Sequence, residues 1–180
     1  MLLNDDAVVN VVEADEYDRS FLRLHPSEAI ITAMDPDHLD IYGTADAMYA
    51  AYDQFAGLCT GRILVHERIA PRFTERNNAI TYAIGGSGEP RAENVRVEEG
   101  AYRFDLIAEG RIMRDLMLGM PGRHNVENAV AAAGMALHLG VNEDRLPRAL
   151  ASFQGVSRRF EVRAKTAKSI FIDDYAHHPA

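Results

Sequence analysis

AIITAMDPDHLDIYGTADAMYAAYDQFAGLCTGRILVH, residues 29–66, decides the fold. Its opening, Ala29 to Ala33, is apolar and β-branched and reads as a buried strand. Asp46 to Leu58 carries apolar residues at helical spacing, with Thr44 as N-cap and Gly57 near the end. Arg62 to His66 reads as a second buried strand. Strand, helix and strand in direct succession predict parallel neighbours joined by a right-handed crossover.

Upstream, Ala7 to Val12 (AVVNVV) reads as a further buried strand. Downstream the pattern changes. Ala79 to Ile84, Ala92 to Val97, Ala101 to Ala108 and Arg111 to Leu118 are strand-like, with turn signals and no helix between them. They predict a small antiparallel sheet. Two helices follow, about Asn125 to Leu139 and Glu143 to Phe153, then a last strand, Ser169 to Ile172. The expected fold class is α/β: a mostly parallel sheet flanked by helices, with the small antiparallel sheet appended.

The 180 residues, 47% hydrophobic and 26% charged, suit a sizeable core. A net charge of -8 excludes the broad basic face that nucleic acid requires, but leaves room for a local phosphate site. Cys59 is the single cysteine, which fits a reducing cytoplasm. No signal peptide opens the sequence, and no apolar run reaches the roughly 20 residues that span a bilayer.

The chemistry concentrates in short blocks. Glu13-Ala14-Asp15-Glu16-Tyr17-Asp18 and Asp35-Pro36-Asp37-His38-Leu39-Asp40 each follow an expected strand. Carboxyl ends of parallel strands are where open α/β sheets bind ligands, and hard oxygens there suit Mg²⁺. Ordinary acidic turns and helix starts would use the same residues. In Gly122-Arg123-His124-Asn125-Val126-Glu127-Asn128, the two asparagines share a helical face and match the donor–acceptor edge of adenine. Helix capping explains one of them and not both. Arg158-Arg159 after Gly155 offers bidentate contacts to phosphate, although surface arginine pairs are common. Asp173-Asp174 at a strand end offers carboxylates for ribose hydroxyls. The only lysines, Lys165 and Lys168, do not follow a glycine, and Gly85-Gly86-Ser87-Gly88 lacks one. The residues given contain no phosphate loop of their own.

In this order the blocks resemble the Mur ligase family, over essentially the whole chain. Within the family the pattern resembles the member that takes L-alanine, because the helix after His38 has no lysine where several later-adding members carry a carbamylated one. The resemblance implies an ATP-dependent amide ligase of peptidoglycan precursor synthesis, with UDP-N-acetylmuramate and L-alanine as substrates. By position it implies Glu13 and His38 as Mg²⁺ ligands, and Asn125 and Asn128 as adenine contacts with His124 in support. Arg159 would meet the ATP phosphates, as the catalytic arginine, and Asp174 the ribose. It implies that 1–172 is the central ATP-binding domain without its phosphate-loop segment, and that 173–180 starts the junction to a C-terminal domain. The chain alone is then expected to lack ligase activity. A tripeptide-recycling ligase of the same type and a non-catalytic nucleotide-binding module are the competing readings.

Overall fold

A computed structural model describes residues 9–156 and 161–174 of the chain, in two compact units, Met1–Ile80 and Thr81–Ala180. In the first, β1 (Ala29–Ile31) and β2 (Ile63–His66) run parallel, with Ala29 opposite Ile63 and Ile31 opposite Val65. Between them come a short helix α1 (Leu39–Tyr42) and the longer α2 (Ala45–Leu58). Thr44 caps α2 as expected, its hydroxyl accepting from the Ala47 amide at 3.2 Å. Met48, Ala51 and Phe55 form the buried stripe of α2. They pack with Phe21, Ile31, Met34, Tyr42, Ile63, Val65 and Phe73 into one core. Burial of each large side chain there contributes about 1.5–3 kcal/mol.

The strand expected at Ala7 to Val12 is not formed in its described part. Residues 9–12 have no regular structure, and Val11 and Val12 are 84% and 55% exposed. A β-branched run becomes a strand only beside a neighbour that completes its ladder, and no described strand pairs with this one. Ala7 and Val8 lie outside the described residues.

The second unit holds β3 (Ala79–Ile84) from Thr81 onward, with β4 (Arg91–Glu98), β5 (Ala101–Ala108) and β6 (Arg111–Leu118). β4, β5 and β6 are antiparallel as expected. β3 differs from the expectation: it pairs parallel with β4, Ala83 opposite Arg91 and Ile84 opposite Ala92. A hairpin reverses the chain within a tight turn. Here the glycine-rich connection instead brings the chain round to run in its former direction, with Gly85 and Gly86 at φ 84° and 79°.

Two register shifts, near Glu93/Arg96 and near Phe104/Leu106, put Asn94 and Asp115 at φ 52° and 56°. One side chain serves both irregularities. Asp105 on β5, 8% exposed, accepts from Asn94 Nδ2 and from the Asp115 amide, each at 2.8 Å. Those bonds, the Asp115 amide first and Asn94 second, hold its carboxyl below the usual carboxylate range. A depressed folded pKa stabilises the fold above the ordinary carboxylate value, and the benefit disappears as pH falls through the folded value. Asp105→Asn keeps the shape but sets an N–H group against one of two donors. It is expected to cost about 1–3 kcal/mol at neutral pH. In thermal denaturation the gap to the native protein should narrow below about pH 4. A pH-independent gap would contradict the account.

α3 (Arg123–His138) lies against β4 and β5, burying Val126, Ala129, Val130, Ala133 and Leu137, the face its spacing predicts. Its Gly134 meets Pro90 so closely that a Cβ there would sit 2.6 Å from the proline Cβ. The expected second helix is divided into a 3-10 turn, Glu143–Arg145, and α4 (Leu146–Ser152), which packs on β6. Pro147 in the first turn of α4 explains the break, since proline is accommodated there and not inside a continuous helix. The expected last strand is β8 (Ile170–Asp173), paired antiparallel with a strand the sequence reading did not anticipate, β7 (Glu161–Lys165).

Candidate functional site

In the first unit the two acidic blocks come together. After β1 the chain runs through Met34, buried in the core, to Asp37 and His38. His38 is the N-cap of α1 and holds φ 54°, a left-handed conformation that a residue with a side chain adopts at a cost. Its amide donates to Asp37 Oδ1 at 2.7 Å, and its carbonyl accepts from the Ile41 and Tyr42 amides. The imidazole Nε2 lies 3.4 Å from Asp37 Oδ2 and 3.8 Å from Glu16 Oε1. The Tyr17 ring stands edge-on to it, with centroids 5.0 Å apart.

Within the first block Asp15 to Asp18, with Arg19, folds as a compact turn. Asp15 Oδ1 accepts from the Tyr17 amide, and Asp18 Oδ1 from the Ser20 amide, both at 2.9 Å. The Ser20 hydroxyl and amide hold the Asp18 carboxyl below its usual range. The turn leads into a 3-10 helix, Ser20–Arg23, whose Phe21 is buried against Phe55 at 5.1 Å between centroids. From the other side Tyr42 reaches across, its hydroxyl donating to the Glu16 carbonyl at 2.6 Å. Burial pushes the Tyr42 and Tyr52 phenols up, so both remain neutral donors.

Carboxylates at this corner suit Mg²⁺, which takes one or two protein carboxylates and completes its shell with phosphate and water. Among the described residues no group of three or more His, Cys, Asp or Glu side chains is arranged to hold a metal ion. An ion held here would therefore need ligands from a bound phosphate. The carboxylates within 4 Å of the imidazole are those of Glu16 and Asp37. Glu13 is exposed on the extended stretch before the turn. The contacts through Glu16, Tyr17 and Tyr42 were not individually foreseen, although Glu16 and Tyr17 lie inside the first block and Tyr42 two residues past the second. Spacing shows that a block exists and not which of its side chains turns inward.

In the second unit, His124, Asn125 and Asn128 share the first turns of α3, as their spacing predicts. His124 and Asn128 are exposed and Asn125 is half-buried. Neither asparagine is the N-cap. That position belongs to Gly122, at φ 96°, and no side chain caps the helix. A side chain on residue 122 would come within 2.9 Å of His124 Nδ1, so glycine is what lets the imidazole fold back over the turn. Asn125 Nδ2 donates to the Pro121 carbonyl at 2.6 Å, which ties the turn to the helix. Asp174 follows β8 and is exposed. Arg159 lies outside the described residues.

Among the described residues no helix is long and apolar enough to cross a membrane.

Residues 2–136 match the Mur ligase middle domain. The UDP-N-acetylmuramate–L-alanine ligase of Flavobacterium johnsoniae is 43% identical over 180 residues, covering 99% of this chain and 39% of that protein. The chain thus spans about two fifths of the length of the curated relatives it matches. Among solved structures, the UDP-N-acetylmuramate–alanine ligase of Thermotoga maritima superposes with a TM-score of 0.77 at 27% identity, over 92% of this chain and 38% of that one. The MurF ligase of Thermotoga maritima, solved in complex with ADP, superposes at 0.65 with 19% identity over 82% of this chain and 35% of that one, a likeness of fold. With three quarters of its length inside that middle domain, the chain belongs to the Mur ligase family.

Proposed function

We propose that the intact protein is an ATP-dependent ligase that joins L-alanine to UDP-N-acetylmuramate in peptidoglycan precursor synthesis. The observation that carries this reading is the 43% identity to such a ligase, sustained over 99% of the chain. The pairing of His38 with carboxylates at the end of β1 supports it from the chemical side.

The substrate carboxylate is phosphorylated by ATP to an acyl phosphate, and the alanine amine displaces the phosphate to form the amide. Positioning and charge neutralisation dominate such a reaction. Mg²⁺ would supply charge neutralisation at the transferred phosphate, with His38 and Glu13 as its protein ligands. Glu16 and Asp37 keep the imidazole oriented. Asn125 and Asn128 contact adenine, with His124 beside them. Arg159 meets the phosphates and Asp174 the ribose. In this reading 1–172 is the central domain and 173–180 opens the junction to the next. The work is cytoplasmic, where the nucleotide-linked sugar and ATP meet.

The test uses the full-length ligase with ATP, Mg²⁺ and UDP-N-acetylmuramate. Phosphate release is expected to depend on L-alanine and to be absent with an intact tripeptide or a free-sugar acceptor. Turnover with the tripeptide in place of alanine would favour the recycling ligase. No nucleotide turnover under any condition would favour a non-catalytic module.

A further inference from the structure

We propose that Tyr42 is a positioning residue for the metal site: it holds the 15–19 turn against His38, so that the Glu16 carboxylate and the imidazole stay in register. The inference rests on the reading of His38 as a metal ligand. The geometry is particular to this residue. Tyr42 ends α1, the helix that His38 begins, and its ring is 5% exposed within the core. From there its hydroxyl crosses to the Glu16 carbonyl at 2.6 Å. That carbonyl also accepts from the Arg19 amide at 3.0 Å, the bond that closes the turn.

One oxygen therefore closes the turn and moors it to α1. On the outer side the Arg19 guanidinium lies over the Tyr42 ring, 4.9 Å from its centroid, with Arg19 at φ 62°. The moored peptide carries the Glu16 carboxylate and leads into the Tyr17 ring, and both face the imidazole. Without the hydroxyl, Phe21 still anchors the far end of the turn in the core, but residues 16 and 38 are then linked by the looser side-chain contacts at the imidazole. The expected loss is one of orientation.

Tyr42→Phe keeps the ring, its packing and its place under Arg19, and removes only the mooring bond. In the intact ligase it is expected to weaken Mn²⁺ binding, read by electron paramagnetic resonance with ADP present, by about tenfold, the lower range for losing an outer-sphere partner. The apparent activation constant for Mg²⁺ should rise by a similar factor, with turnover at saturating Mg²⁺ near that of the native enzyme. A merely less stable variant lowers the rate and leaves that constant unchanged, because the constant does not depend on how much protein is folded. His38→Ala is the companion measurement. If it loses Mn²⁺ binding while Tyr42→Phe binds as the native enzyme does, the positioning role is overturned and the metal site stands. If His38→Ala itself binds Mn²⁺ normally, the metal reading fails and this inference with it.

Discussion

His38→Ala in the intact ligase is expected to lower kcat/KM for alanine-dependent phosphate release by on the order of 100-fold or more, at least as much as losing an outer-sphere partner of a metal costs. Two effects are mixed in that substitution. The imidazole is lost from beside Glu16 and Asp37. A backbone held at φ 54° also has to accept alanine, which enters the left-handed region less readily than histidine does. His38→Asn separates them, because asparagine tolerates that conformation far better and supplies no imidazole. The loss should persist in His38→Asn with little change in melting temperature. If asparagine restores the rate, residue 38 matters as the corner that starts α1 and not as a ligand.

The second large effect concerns stability and lies far from any chemistry. Gly134→Val is expected to destabilise the protein by about 3 kcal/mol, at the upper end of ordinary overpacking. α3 approaches β4 through Pro90, and a Cβ on residue 134 would sit 2.6 Å from the proline Cβ. A valine adds two further methyls, so the helix must lift from the sheet and open the contacts that bury Val130 and Ala133. Alanine supplies the control of sign. In a helix interior, glycine to alanine usually stabilises by about 1 kcal/mol. Here Gly134→Ala should lower the midpoint of urea denaturation. A raised midpoint would mean that the helix can retreat without penalty.

How much of this was legible beforehand depends on the range of the interaction that decides each element. α2 and α3 were readable because their caps, termini and apolar stripes are local, and Thr44 and the Val126 to Leu137 face stand where spacing puts them. The parallel β1/β2 pair followed from the helix between the strands. The direction of β3 was not readable, because a strand's pattern of side chains is the same whichever way its neighbour runs. Nor was the exposure of Val11 and Val12, since apolar character states a preference and not the presence of a neighbour to satisfy it. The same limit applies to the site. The acidic blocks were visible as blocks, but the choice of Glu16 and Asp37 as the carboxylates at His38 depends on where two turns meet. The Asp105 arrangement left no trace in the sequence, because its partners come from the two neighbouring strands.

That arrangement has a mechanical consequence. Strands slide past one another in steps of one residue, and a sheet with a weak pattern has several settings of nearly equal energy. A single carboxylate that grips the irregular point of the strand on each side works as a detent. Moving either neighbour by one step would pull its donor out of reach and cost the carboxylate one of its two short hydrogen bonds. The outer strands of the trio cannot be reset separately, so an insertion in one of them has to be absorbed in the connecting loops.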